Sequence, residues 1–470
     1  MSNDKISTTR ESVATNGSNF HIINEGKVSI RKNDTTFYNP AQKTNRDISI
    51  LVISEYFKNK ENIRILDAMS ATGLRGLRYL KEIKNLNLFF NDINDNAIDT
   101  IFENLKYNNV SSSQIKYFEK NLCEIRETFS HINVVKSDCN VLMCTLQNFF
   151  DVIDIDPFGS CSEYIENAIR AIKHNGLICF TSTDKGVLIT NENKSIVKYE
   201  TTILKKYSAK EMALRSLLSC ISRHAAKFGV SIEPLLSLSL DFYLRVFVRI
   251  LKKGEKRVIA DNGLFYLCNC GNFKSADGNR QVVNCNINYK LFSLEDPDFM
   301  KKLKNACETI NFSNGNICEV CNKKMKICGP FWNKHLHDQN LVSKIKSNLS
   351  SDDNRLVGIF NFVGQEISTM WYYEIPLLSK NLKMPCIRLI KMLTALKNLG
   401  FDVSLTHCDI KGFKTNAPVK IIYIVLQIGN LEPDFKLFSK NDIVNKIFEQ
   451  KYYKGLIDSK LGPLSLPRKD

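Results

Sequence analysis

From about residue 61 to residue 183, short apolar runs alternate with stretches of helical spacing, and this alternation limits the fold more than any other feature of the chain. The runs Ile63–Asp67, Leu86–Asp92, Ile132–Asp138, Phe150–Asp156 and Leu177–Thr183 read as strands. Between them, Asn94–Asn108 and Ser162–His174 read as helices, each opening on an Asn or Ser able to cap free backbone amides. Strands that are apolar on both sides and separated by helices build a mainly parallel sheet with helices on its faces, so an α/β architecture is predicted.

The chain is 470 residues long, more than one hydrophobic core usually organises, and a second domain is expected. A long helix over Ser208–Phe228 has Met212, Leu214, Leu217, Leu218, Ile221 and Ala225 on roughly one face, with Gly229 as its C-cap. Leu235–Leu251 reads as one or two further strands that close the sheet. The lysine- and glycine-containing stretch Lys252–Arg257 then reads as a turn or linker, which divides the chain into residues 21–255 and 256–470. The second part reads as a smaller α/β unit, with a helix Cys386–Leu399 stopped by Gly400 and a strand Val419–Ile428. Residues 1–20 are Ser/Thr/Asn-rich and short of large apolar side chains, and are predicted to be disordered.

Lys and Arg number 65 against 49 Asp and Glu, a net charge of +16 that favours a polyanionic partner such as nucleic acid or an anionic membrane; a solubilising lysine-rich surface is the plainer reading. No amphipathic basic anchor and no apolar run long enough to span a bilayer is evident, so no membrane association is expected. No secretory pattern is evident either, and an intracellular monomer in nucleus or cytoplasm is predicted, with the mitochondrion left open. Most of the 15 cysteines are scattered singly, as reduced buried cysteines are. The pairs Cys268/Cys270 and Cys318/Cys321 stand apart.

The first strand runs into I-L-D-A-M-S-A-T-G-L-R-G-L-R, a loop of small residues that leads into a helix. Ligands of open α/β sheets bind at the carboxyl ends of strands, so a nucleotide-like cofactor is expected over this turn. A dinucleotide fingerprint needs three glycines, and only Gly73 and Gly76 are present, which weighs against a dehydrogenase. Asp92 ends the second strand, where a carboxylate can accept from ribose hydroxyls. Asp138 ends the third and can accept from an adenine amine while the Cys139 amide donates to the ring. A structural tight turn and a helix-capping Asp are the bland alternatives.

The fourth strand ends D-V-I-D-I-D-P-F-G, with Asp156 and Pro157 ahead of Phe158. An exocyclic nucleobase amine is a poor nucleophile because its lone pair is delocalised into the ring. A carboxylate on one N–H and the Pro157 carbonyl on the other can redirect that pair toward a methyl donor, and the carboxylate can later take the proton. Phe158 offers a flat face on which an extruded base can stack. As an isolated tetrapeptide, D-P-F-G is equally a strand-ending turn with a buried aromatic.

Taken with E-G-K-V-S-I-R-K, F-Y-N-P-A-Q-K-T-N-R-D-I-S-I, S-A-T-G-L-R-G-L-R-Y, N-D-I, D-F-Y-L-R-V-F-V-R, G-P-F-W, T-H-C-D and G-F-K-T-N-A-P, these motifs resemble, in order and across roughly residues 20–420, the tRNA guanine-26 N2-dimethyltransferase family. The resemblance implies a Rossmann-like class I methyltransferase sheet using S-adenosyl-L-methionine, with tRNA as partner and a tRNA-binding C-terminal domain. It implies cofactor contacts from Arg46, Arg75, Asp92, Asp138 and Cys139, catalysis by Asp156, and a flipped guanine held between Phe37 and Phe158. It also implies a structural zinc ion on Cys268, Cys270, Cys318 and Cys321. Cys268-x-Cys270 is one residue shorter than the family's usual pair, so Cys328 or Cys285 as substitute ligand, or loss of the metal, stays open. Two other functional readings remain: an amino-methyltransferase acting on adenine or cytosine in ribosomal RNA or DNA, and a non-catalytic RNA-binding factor on the same fold.

Overall fold

The computed structural model describes residues 21–32, 38–252, 260–276, 317–350 and 353–431. The expected disordered segment 1–20, and with it Phe37 and Cys285, lies outside them. The chain divides into two compact units, and the division is not the contiguous one expected near residue 255: the first takes residues up to Thr183 with His224–Leu236 and Arg245–Glu255, the second takes Asp184–Arg223, Ser237–Leu244 and the rest. Long elements near residues 209–252 carry the chain from one core to the other, which a composition shift along the sequence does not register.

The first unit opens with a hairpin of β1 (His21–Glu25) and β2 (Val28–Lys32), then helix α1 (Lys43–Tyr56). It continues β3 (Ile63–Asp67), α2 (Leu74–Glu82), β4 (Leu86–Asp92), α3 (Asp95–Tyr107), β5 (Ile115–Phe118), β6 (Ile132–Lys136), β7 (Phe150–Ile155) and β8 (Ile172–Ser182). With β9 (Val230–Leu240) and β10 (Tyr243–Lys252) these strands from β3 onward form an eight-stranded sheet in the order β5-β6-β4-β3-β7-β8-β10-β9. The strands from β5 to β8 pair in parallel. Ile65, Leu66, Leu88, Phe89, Phe90, Val134, Val152 and Ile153 are buried, as strands covered on both faces must be. Phe89 stacks edge-on to Phe149 and Phe150 at 5.6 and 5.3 Å, closing one side of this core.

Successive strands step from β3 to β4 to β6 in one direction, and β7 then returns to the other side of β3. Loops leaving β3 and β7 therefore diverge, which opens a crevice at their carboxyl ends. Register aligns those ends: Asp67 lies opposite Phe90 and Asp154, and Asp92 opposite Lys136. The helix expected over Ser162–His174 is shorter, a 3-10 turn Ser162–Tyr164 followed by Ile165–Ala171. Strand β8 starts at Ile172 and pairs irregularly between Phe150 and Val152, so its first residues read as helix by spacing alone.

Among the described residues, the second unit holds two small sheets. One is β11 (Asn262–Leu267), β12 (Phe273–Ser275) and β13 (Lys326–Trp332) in the order β12-β11-β13; the other is β14 (Tyr373–Glu374), β15 (Val403–Thr406) and β16 (Asp409–Thr415) in the order β14-β16-β15. The strand expected over Val419–Ile428 is a helix, Val419–Leu431. Its β-branched residues favour a strand, but Pro418 starts a helical turn by accepting from the Ile421 and Ile422 amides. Ile422, Val425 and Leu426 then bury themselves in the cluster around Leu393 and Leu396 of helix Leu389–Asn398, and that burial outweighs the modest propensity difference. Among the described residues, no helix is long and apolar enough to cross a membrane.

Candidate active site and cysteine cluster

At the carboxyl end of β3 the loop from Asp67 to Gly73 folds back on the sheet. The Ala68 amide donates to Asp154 O at 3.0 Å, Ser70 N to Asn91 O at 2.9 Å, and Gly73 N to Ser70 O at 2.7 Å. Gly76 lies where any side chain would strike Phe90, since a Cβ would stand 2.3 Å from its ring, so glycine lets the first turn of α2 sit down on the sheet. The Asp67 carboxylate accepts from the Gly76 amide at 3.1 Å. Burial pushes Asp67 up to about 7, against the pull of Arg75 and with the help of the Asp154 charge.

Asp92 is half-buried on the same rim and braces the loop: one oxygen accepts from Ala71 N at 2.9 Å, the other from Asn94 N at 3.0 Å. Asp138 is exposed and caps the helix Cys139–Thr145, accepting from Asn140 N at 2.7 Å and Val141 N at 3.2 Å. The Cys139 thiol is buried, and burial pushes it up to about 12, so it is not a nucleophile. Two apolar side chains that sequence reading passed over follow these acids. Ile93, just past β4, is 65% exposed, and Val141, in the helix Cys139–Thr145 that follows β6, is 54% exposed.

Asp156 and Phe158 stand at the end of β7. Phe158 is 80% exposed, so it is not the buried aromatic of a plain structural turn. The turn is fixed instead by the backbone, with Gly159 N donating to Thr183 Oγ1 at 2.8 Å and Thr183 N to Gly159 O at 2.9 Å. Gly159 has φ +85° and nothing within 4 Å of a would-be Cβ, so the chain there is open to close approach.

Arg75 joins the two loops. Its guanidinium pairs with Asp156, donates to Asn45 Oδ1 at 3.1 Å and lies 3.5 Å from Asp154. Arg75 thereby brings the expected catalytic acid and the loop that follows β3 to one place. Behind it is an ion cluster that sequence reading missed. Asp154 is fully buried and receives Arg245 on both oxygens at 2.9 and 2.6 Å, with Tyr79 Oη at 2.5 Å. Arg245 also donates to Thr181 and Ser49 hydroxyls at 2.8 and 2.7 Å. Burial works against the Asp154 charge, but Arg245 and Arg75 outweigh it and hold the carboxylate below its ordinary range. The available signal was an arginine inside D-F-Y-L-R-V-F-V-R, a charge among residues that otherwise bury.

Arg46, also in the first unit, is held by an ion pair. It grips buried Glu25 at 2.7 and 2.6 Å, reaches Asn39 O at 3.3 Å and lies over the Tyr38 ring at 5.6 Å. Arg78 joins the same Glu25 and Asp47. This clamp ties the N-terminal hairpin, with Tyr38 and Asn39, to α1 and α2.

In the second unit, Leu267 of β11 pairs with Lys326 of β13, which brings the loops after one strand and before the other to the same end. The four expected thiols meet there within 4.8 Å of one another, Cys268 Sγ at 3.4 Å from Cys321 and Cys270 Sγ at 3.4 Å from Cys318. These separations are far too long for disulfides, near 2.05 Å, and close to the ~3.8 Å spacing of thiolates around a tetrahedral ion with 2.3 Å bonds. The short Cys268-x-Cys270 turn closes because Gly271 N bonds to Cys268 O at 2.9 Å. Cys328 packs instead with Phe265, Phe331 and Trp371.

The family model for N2,N2-dimethylguanosine tRNA methyltransferase matches residues 17–427. A tRNA (guanine(26)-N(2))-dimethyltransferase of Methanocaldococcus jannaschii is 30% identical over 406 residues, covering 84% of this chain and 93% of that protein. A Caenorhabditis elegans protein of the same name is 28% identical over 449 residues, covering 86% and 79%. The structure of Trm1 from Pyrococcus horikoshii in complex with S-adenosyl-L-methionine superposes with a TM-score of 0.68 at 24% identity, over 86% of this chain and 99% of that one, a likeness of fold. On the extent of these matches, the chain belongs to the N2,N2-dimethylguanosine tRNA methyltransferase family.

Proposed function

We propose that the protein transfers methyl groups from S-adenosyl-L-methionine to the exocyclic N2 of guanosine 26 in tRNA, giving N2,N2-dimethylguanosine. One observation carries the reading: Arg75 ties Asp156 to the cofactor loop while Phe158 stands exposed beside it. The rim fits the cofactor. Asp92 can take ribose hydroxyls on lone pairs not used by its two amide bonds, and Ile93 and Val141 can cover an adenine whose amine faces Asp138. When bound, S-adenosyl-L-methionine supplies an electrophilic methyl on a sulfonium centre.

The chain's own residues then act on the amine. Phe158 stacks the extruded guanine, with Phe37 the proposed opposite face. The Asp156 carboxylate and the Pro157 carbonyl accept the two N–H bonds and turn the nitrogen lone pair out of conjugation. Arg75 orients Asp156, which positions the amine first and takes its proton as the C–N bond forms. A second cycle on the monomethylated base needs only one remaining N–H, and Asp156 can hold it. Arg46, the further expected cofactor contact, would also hold Tyr38 and Asn39 in place. Zinc would be held by Cys268, Cys270, Cys318 and Cys321, where it would secure the loops flanking β11 and β13. The second unit would carry the tRNA.

Unmodified tRNA transcript incubated with protein and labelled cofactor, then digested to nucleosides, should yield N2-methyl- and N2,N2-dimethylguanosine. Transcript with adenosine at position 26 should yield neither. Methylation of adenine or cytosine instead would favour the broader amino-methyltransferase reading, and tRNA binding without transfer the non-catalytic one.

A further inference from the structure

G-P-F-W, T-H-C-D and G-F-K-T-N-A-P have no part in the chemistry above, yet in the second unit Lys414 of the third lines a cavity of about 400 Å³, and Trp332 of the first and His407 of the second bond to its wall residues Arg215 and Glu366. Its walls include Arg215, Lys414 and Glu366, each buried. Arg215 Nη1 donates to Trp332 O at 2.8 Å and Lys334 O at 3.0 Å, and Nε to Glu211 at 2.7 Å, which leaves Nη2 without a hydrogen bond among the described residues. Lys414 bridges Glu366 at 3.0 Å and Glu211 at 3.2 Å. His407 Nδ1 lies 2.6 Å from Glu366, whose other oxygen accepts from Thr406 at 3.0 Å.

His337 adds a donor. The Ser237 amide donates to its Nδ1 at 3.3 Å, so in the neutral ring Nε2 carries the hydrogen, and Nε2 has no acceptor among the described residues. Burial holds His337 well below its usual range, consistent with a neutral ring. His407 differs: burial opposes its charge, but Cys408 and Glu366 carry it up to about 10. Arg215 and Lys414 balance Glu211 and Glu366, and a protonated His407 beside a neutral Cys408 adds one positive charge. The same residues argue against a divalent cation on His337, Glu366 and His407, although these could draw near one, because an ammonium already occupies the carboxylate.

We propose that this cavity receives a backbone phosphodiester of the tRNA, whose single negative charge matches the excess and whose oxygens accept from Arg215. The proposal rests on the tRNA reading above. Phosphate contacts of this kind set register on a nucleic acid without reading its sequence.

The test leaves the buried network intact. Ser343 is exposed and lines the cavity; Ser347, on the same helix Gln339–Asn348, is exposed and is not among the lining residues. With the full chain, Ser343→Asp should raise Kd and KM for tRNA about tenfold at unchanged kcat, and reduce the salt slope of binding by about 0.9. Ser347→Asp should change them far less. Equal effects of the two variants, or none from Ser343→Asp in a chain that still binds and methylates tRNA, would overturn the phosphate site alone. A chain that binds no tRNA would overturn the function it rests on. Thermal stabilisation by inorganic phosphate, lost in Ser343→Asp while tRNA affinity is unchanged, would assign the cavity to a free anion and overturn the proposal. So would a loss of bound zinc in His337→Gln with the four cysteines intact.

Discussion

Replacing Asp154 by asparagine keeps the side chain's shape and removes its charge, and the structure sets the cost. The carboxylate is fully buried and takes Arg245 at 2.9 and 2.6 Å and Tyr79 at 2.5 Å, with Arg75 at 3.5 Å. The amide leaves Arg245, itself 0% exposed, without its anion. Breaking a buried pair from one side costs about 3–5 kcal/mol. At about 2–4 °C per kcal/mol for a unit of this size, the sheet should melt roughly 6–20 °C lower. Asp151, on the same strand and 1% exposed, is the internal control. Its partners Lys60 and Lys173 have side chains 50% and 30% exposed and can turn to water when released. Asp151→Asn should therefore cost only about 1 kcal/mol. Calorimetry or urea unfolding of both variants at one pH measures the difference. Equal losses, or a loss below about 1 kcal/mol for Asp154→Asn, would refute the assignment of Asp154 as the anchor of both guanidinium groups.

Phe158→Ala should leave stability within about 0.5 kcal/mol, because the ring is exposed, while methyl transfer to tRNA falls at least about tenfold; unchanged turnover would remove Phe158 from base stacking. Asp156→Ala should abolish transfer and leave cofactor affinity nearly intact, as equilibrium dialysis with labelled cofactor would record; lost affinity would move Asp156 to cofactor binding. Cys318→Ser should strip zinc, measured by atomic emission, and lower the melting temperature of the second unit; a variant that keeps stoichiometric zinc would exclude Cys318 as a ligand. Asp67 should make stability fall as pH rises from about 4 to about 7, because the folded carboxyl titrates near 7 and the free one near 3.8, so the folded state binds more protons between. The stability of Asp67→Asn relative to wild type should improve across that window and level off above it; a pH-independent difference would show that Asp67 is not perturbed.

The alternating apolar runs determined the parallel sheet, and with it the rim on which Asp92, Asp138 and Asp156 stand, because a strand buried on both faces must be apolar and a parallel partner demands a crossover. The two close cysteine pairs were legible as well, and the structure gathers their four thiols within 4.8 Å of one another. Only the tertiary structure decided the rest. Val419–Leu431 became a helix because burial against Leu389–Asn398 outweighs a fraction of a kcal/mol of propensity. Arg75 pairs with Asp156, and Arg245 with Asp154, across 81 and 91 residues of sequence. Electrostatic partners are chosen by proximity in space and by the lack of water to compete, and neither is written in the spacing of residues along a chain.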